Sequence, residues 1–273
     1  MRKKINVPST LLIMIGSVFV LFPLYMVIII AVKSPQQMAD SILAIPSKFH
    51  FENFSNAIKQ TNFFHAFKNS AIISFFAVVL TILTNSMVAY AIARGMKRSK
   101  FFKALYYYFI AAMFIPFPII MLPIVKQTSF FHMDNPVGLV VLYVVYGMAF
   151  NTMLYVGYIK SIPYELEEAA SIDGASQWTT YWKVIFPMLK PMNATVGILT
   201  CLWAWNDFML PLLILNDQKN NTLPLVQYVF QSEFGTDFNL AFSSYLMAML
   251  PMIIVYIFAQ KYIIGGVTRG SIK

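Results

Sequence analysis

The sequence predicts an all-α protein that crosses a membrane six times. Three observations predict it. Of its 273 residues, 59% are hydrophobic and only 11% charged, whereas soluble domains carry roughly 25% charged residues. The apolar residues lie in long runs, and about 20 of them at 1.5 Å of rise each cross the roughly 30 Å of hydrocarbon in a bilayer. The Lys and Arg residues collect at the edges of those runs. The net charge of +9 is therefore spread around apolar segments and forms no long basic stripe, so nucleic acid is not an expected partner. The single cysteine, Cys201, lies in an apolar run and reads as a packing residue.

Six segments qualify as spans: Thr10–Val32, Asn69–Ala93, Ala104–Val125, Pro136–Ile159, Met192–Leu215 and Ala241–Tyr262. The first follows Met1-Arg2-Lys3-Lys4 but is too long for the apolar core of a signal peptide, and Lys33 spoils a small-residue cleavage site. It reads as a retained span. The third carries Pro116, Pro118 and Pro123, which remove helix hydrogen bonds and mark either a hinge or tolerated kinks. The fifth holds the one acidic residue of the six spans, Asp207.

Orientation follows from the basic residues. With the amino terminus inside, the inner segments hold fourteen Lys and Arg and the outer segments six. Both termini are then expected in the cytoplasm, with a cytoplasmic hairpin over 160–191 and long outer loops at 33–68 and 216–240. Loops of that length carry function more often than they merely connect.

The hairpin is a polar island. Pro163 suits the first position of a helix, Glu165, Glu167 and Glu168 favour its positive end, Ala169 and Ala170 leave room for a partner's backbone, and Gly174 ends it. A helix of about ten residues is expected. A second helix starts near the N-cap Ser176, with Trp178, Tyr181, Trp182, Ile185 and Phe186 on one apolar face and Pro187 and Pro191 at its end. The island is either a docking knob or an ordinary acidic loop. The chain has no G-x-x-x-x-G-K-[ST] loop for nucleotide phosphates, and its spans offer little beyond Asp207 for ion coupling. Energy is therefore expected to enter through this hairpin.

Among the polar groups of the spans, Asn85, Asn151, Asn193, Asn206 and Asp207 are open to two readings, interhelical glue or solute contacts. Trp205, Asn206 and Asp207 are the candidates for lining a pathway. His50, His65 and His132 lack the spacing of metal ligands, and no metal site is expected.

Glu168-Ala169-Ala170, three residues, Gly174, nine residues, then Val184-Ile185-Phe186-Pro187 resembles the EAA motif, EAA-x3-G-x9-I-x-L-P, of permease subunits in binding-protein-dependent ABC importers. Val184 and Phe186 replace Ile and Leu of that pattern. Phe51-Glu52-Asn53-Phe54, Asn69-Ser70, Trp205-Asn206-Asp207-Phe208 with Pro211-Leu212, and the tail from Gln260 to Gly270 are also similar to the maltose-permease-like group, so the resemblance covers nearly the whole chain. It implies the type I importer permease fold in a bacterial plasma membrane. It also implies a second related permease, two cytoplasmic ATPase subunits that bind ATP and Mg, and an extracytoplasmic sugar-binding protein. Glu165, Glu168, Ala169, Ala170, Asp173 and Gly174 would couple to the ATPase. The outer loop with Glu233, Phe234, Gly235 and Thr236 would meet the binding protein, and the tail after Ile264 the ATPase dimer. The implied solute is a di- or oligosaccharide. A glycerol phosphate or polyol importer is the alternative, and an ion-coupled secondary transporter is the more distant one. A phosphorylated solute would call for Arg or Lys along its route, and apart from Lys261 at the edge of the sixth the spans lack them.

Overall fold

The computed structural model describes residues 6–232 and 235–269. Apart from a two-residue antiparallel ladder, Gln231–Ser232 with Gly235–Thr236, the described elements are helical. In order they are α1 (Val7–Ala31), α2 (Pro35–Asp40), α3 (Glu52–Thr61), α4 (Phe63–Gly95), α5 (Lys100–Ala112), α6 (Phe117–Phe130), α7 (Pro136–Ile159), α8 (Glu165–Ile172), α9 (Gln177–Thr180), α10 (Phe186–Met188), α11 (Lys190–Asn206), α12 (Met209–Ile214), α13 (Leu223–Gln227) and α14 (Phe238–Arg269). Four of them, α1, α4, α7 and the first 21 residues of α14, are long and apolar enough to cross a membrane. The count reaches six when two bent pairs are each taken as one span.

The bends depart from the straight helices expected of the sequence. The third segment breaks between α5 and α6 at an angle of 106°. Pro116 disfavours the α conformation for Ile115, and it adopts an extended ψ of 135° itself. The prolines thus end one helix and begin another. The second bent pair lies just before the fifth segment, where residues 177–188 meet α11 at 75°. The fifth segment itself is interrupted at Asp207, whose ψ of 129° separates α11 from α12. The segment 33–68, expected as a long outer loop, is not a plain loop, since it contains α2, α3 and the first turns of α4.

The chain divides into two compact units, residues 1–66 with 225–251 and residues 67–224 with 252–273. In the first, α1 leaves most of its length exposed and buries only its last turn, Ile29, Ile30 and Ala31. The end of α1 is capped by side chains. Asn53 Nδ2 donates to Ala31 O at 3.0 Å and to Lys33 O at 2.8 Å, and Ser243 Oγ donates to Ala31 O at 2.7 Å. Buried carbonyls are thereby satisfied where the helix has run out of its own donors.

Helix α4, all but its first four residues in the second unit, is 33 residues long, about 50 Å, and overruns the hydrocarbon by roughly 20 Å. Its Arg94 end packs into the core that positions the hairpin. Ala89, Ile92 and Ala93 of α4 meet Tyr155, Val156 and Ile159 of α7, and with them Tyr181, Ile185, Leu189 and Met192.

Candidate functional site

α8 starts two residues after Pro163, which precedes the cap residue Tyr164. Its end is closed by a reciprocal pair of bonds. Ala175 N–H donates to Ala170 O at 2.9 Å, and Gly174 N–H donates to Ser171 O at 3.1 Å. That 6→1 and 5→2 pattern requires a left-handed residue, supplied by Gly174 at φ 81°. Ser176 then caps α9 by accepting Thr179 N–H at 3.2 Å.

The three glutamates of α8 face different surroundings. Glu165 and Glu168 are exposed, as are Ala169, Asp173 and Gly174, and Ala170 is half-buried. Leu166 and Ile172 are exposed on the same helix, Ile172 by 86%. Glu167 is buried. Its Oε1 accepts Arg94 Nε at 2.6 Å and its Oε2 accepts the Tyr90 hydroxyl at 2.8 Å. Arg94 also donates from Nη2 to Ile162 O at 3.1 Å and stacks over the Tyr164 ring, 5.6 Å from its centroid. Arg98 donates to the Tyr164 hydroxyl.

Beyond α9 the chain forms a π-helical turn over Tyr181–Ile185, marked by a bond from Phe186 N–H to Tyr181 O. A regular helix would drive the Pro187 ring into the carbonyl of Lys183, and widening the turn relieves that conflict. Tyr181 and Ile185 are buried, and the Tyr181 hydroxyl shares a hydrogen bond of 2.6 Å with Ser86 Oγ. Ser86, Tyr90 and Arg94 lie at i, i+4 and i+8, so one stripe of α4 grips the hairpin at three levels. A cleft of about 780 Å³ lies against this stripe, bounded by Arg98, Phe102, Ser171 and Trp178. Sequence reasoning missed the stripe and read Glu167 only as a first-turn acid beside Glu165 and Glu168. The available signal was polar residues at helical spacing on an otherwise apolar helix.

The second candidate locus is the break at Asp207. Its Oδ2 accepts the Tyr143 hydroxyl at 3.0 Å, and its Oδ1 accepts Met209 N–H at 3.1 Å. A cleft of about 490 Å³ opens here, lined by Asp207, Trp203, Tyr146, Phe117 and Phe150 among others. Asp207 is the one charged side chain among the described residues that line it. Of the three residues expected on the pathway, only Asp207 borders this cleft. Trp205 is 5% exposed and packs edge-on against Phe67 at 5.4 Å. Asn206 turns back to donate to Leu202 O at 2.7 Å. The aromatic residue of α11 that does line the cleft is Trp203, which meets Tyr143 edge-on at 5.1 Å.

The segment 216–240, expected as an outer loop, is anchored from within each unit. Asn69 Nδ2 donates to Lys219 O at 2.8 Å and to Asn221 O at 3.0 Å, and Ser70 Oγ accepts Leu223 N–H at 2.9 Å. In the other unit Gln227 Nε2 donates to Ser244 O at 3.2 Å. Gly235 and Thr236 belong to the short ladder, while Glu233 and Phe234 lie outside the described residues, as does the tail beyond Arg269.

The family described as "Binding-protein-dependent transport system inner membrane component" matches residues 85–269 of this chain. The chain is 40% identical to the multiple sugar-binding transport system permease protein MsmG of Streptococcus mutans over 264 residues, which covers 96% of this chain and 95% of the relative. It is 34% identical to the probable starch degradation products transport system permease protein AmyC of Thermoanaerobacterium thermosulfurigenes, over 99% of both chains. Its fold is similar to a chain in the crystal structure of a bacterial ABC transporter involved in the import of the acidic polysaccharide alginate. The TM-score is 0.81 at 22% identity, covering 94% of this chain and 95% of the other.

Proposed function

Because this chain belongs to the family of binding-protein-dependent transport system inner membrane components, we propose that it is one permease subunit of an importer for neutral di- or oligosaccharides. The relatives named for multiple sugars and for starch degradation products support that solute class. The observation that carries the mechanism is the division of labour on α8. Glu165, Leu166, Glu168, Ala169 and Ile172 face outward, and Glu167 is tied to Tyr90 and Arg94. A helix exposed on one side and bonded to a long span on the other transmits movement from a docked protein to that span.

In this reading two ATPase subunits hold ATP and Mg and dock on Glu165, Glu168, Ala169, Ala170, Asp173 and Gly174. Their closure favours one arrangement of the spans over the other, and only such differential binding can drive the switch. A second, related permease completes the pathway, and an external binding protein delivers the sugar near Glu233–Thr236. The balance of fourteen inner against six outer basic residues supports cytoplasmic termini, with the chain in the plasma membrane. At the break in the fifth segment, Asp207 offers a carboxylate to sugar hydroxyls and Trp203 an apolar ring face. The same carboxylate disfavours phosphorylated solutes, which sets a glycerol phosphate importer behind a sugar importer.

The test is uptake of labelled oligosaccharides into proteoliposomes that hold the assembled importer. Uptake should require internal ATP, the ATPase subunits and the external binding protein. Sugar accumulation by this chain alone, driven by an ion gradient, would overturn the reading.

A further inference from the structure

The first outer segment does not simply leave the membrane. Lys33 follows the end of α1, yet its side chain is 1% exposed and does not reach water. Its Nζ donates to Ser41 O at 2.7 Å and to Ile42 O at 2.8 Å. The next carbonyl, Leu43 O, accepts the Tyr25 hydroxyl at 2.7 Å. Ala44 N–H donates to Ser41 Oγ at 3.2 Å, and Pro46 has no N–H to satisfy. Three successive carbonyls are thus taken by side chains of α1 and the residues just after it. A loop in water has no need of this, because water supplies the donors. The N–H groups of Ile42, Leu43 and Ile45 find no protein acceptor among the described residues. The turn therefore belongs at the headgroup boundary, where an irregular backbone keeps some water, and not in the hydrocarbon centre, where every polar group needs a protein partner.

Depth points the same way. Tyr25 precedes the cap residue Val32 by seven positions, so it sits about 10 Å below the end of α1. Its bond to Leu43 draws the loop down to the reach of that level. The chain then climbs back, since His50 N–H donates to Val32 O at 2.8 Å. Along the descent Ile42, Leu43 and Ile45 are 50%, 53% and 72% exposed, a costly arrangement in water for three adjacent large apolar side chains.

We propose that residues Ser41–Pro46 dip back along α1 into the outer leaflet and present Ile42, Leu43 and Ile45 to lipid acyl chains. The dip fixes the depth of the first span and holds the entry to α3 at the membrane face. The inference rests on the reading of α1 as a span.

Spin labels test it in the assembled importer reconstituted in bilayers, in a Cys201→Ser background. One label sits at Ile45→Cys and a control at Val18→Cys, midway along α1. The Ile45 label should be broadened by oxygen and protected from an aqueous nickel chelate. Adding Tyr25→Phe should shift it toward nickel, and the absence of that shift would overturn the role given to the Tyr25 bond. An Ile45 label open to nickel while Val18 is protected overturns the dip and leaves the span intact. A label shielded from both relaxants means that protein covers the loop, which also overturns the dip. A Val18 label open to nickel sinks the span itself.

Discussion

Arg94 and Glu167 are 73 positions apart in the chain and meet at 2.6 Å, Nε to Oε1. Both side chains are largely withdrawn from solvent. The pair joins the last turns of the 33-residue α4 to a helix of only eight residues, and the Tyr90–Glu167 and Ser86–Tyr181 bonds lie along the same stripe.

Glu167→Ala strands a buried guanidinium. Loss of one partner in a buried pair costs about 3–5 kcal/mol. The variant should show a lowered midpoint of thermal unfolding in the purified importer and lose sugar uptake. Removing both charges, Arg94→Met with Glu167→Leu, should recover most of the midpoint, because no uncompensated charge remains. A single variant as stable as the native protein would show that the pair is solvated and idle.

Gly174 separates backbone from bulk. An added Cβ would meet nothing within 4 Å, so the penalty is conformational, about 1–2 kcal/mol for an ordinary L-residue at positive φ. Gly174→Asn should retain most uptake, and Gly174→Val should lose it while the external binding protein still binds sugar. Equal loss in both would shift the cause from backbone geometry to contact with a docked partner.

The two tryptophans of α11 should behave differently. Trp205→Ala opens a buried cavity, for which aromatic truncations cost about 3–5 kcal/mol, and should reduce the yield of folded importer. Trp203→Ala should leave the yield unchanged and raise the sugar concentration for half-maximal uptake. Asp207→Asn keeps an acceptor for Tyr143 and should act on uptake more than on yield. The readouts are detergent-extracted yield and concentration-dependent uptake, scored side by side.

Ser86 and Tyr181 give a milder case. A single neutral hydrogen bond is worth about 1 kcal/mol net. Ser86 Oγ also donates to Ile82 O, so Tyr181→Phe leaves it a partner and should lower the thermal midpoint only slightly, and adding Ser86→Ala should change the midpoint little further.

Much of the architecture was legible because spans announce themselves by apolar length, and the cap at Ser176 and the stop at Gly174 are local chemistry. The π-helical turn was not legible. Trp178, Tyr181, Trp182, Ile185 and Phe186 fit a regular helical period, and only the conflict at Pro187 forces the extra residue. α3 escaped because its apolar positions are few and its buried Asn53 looks like a surface residue until the end of α1 needs a cap. The three glutamates of α8 are alike in sequence. Their roles separate only when the fold brings Arg94 beside one of them, and the same holds for Trp203 and Trp205, two residues apart on α11.

The carboxylate of Glu167 hands one oxygen to Tyr90 and the other to Arg94, residues about 6 Å apart on one line of a helix. Both bonds end on one side chain, so α8 hangs from the span by a single carboxylate gripped at both oxygens. A carboxylate held in that way cannot spin about its own bond, and the facing of Glu167 on α4 is fixed along with its position. The exposed residues of α8, Glu165 and Glu168 among them, are aimed by that one clasp.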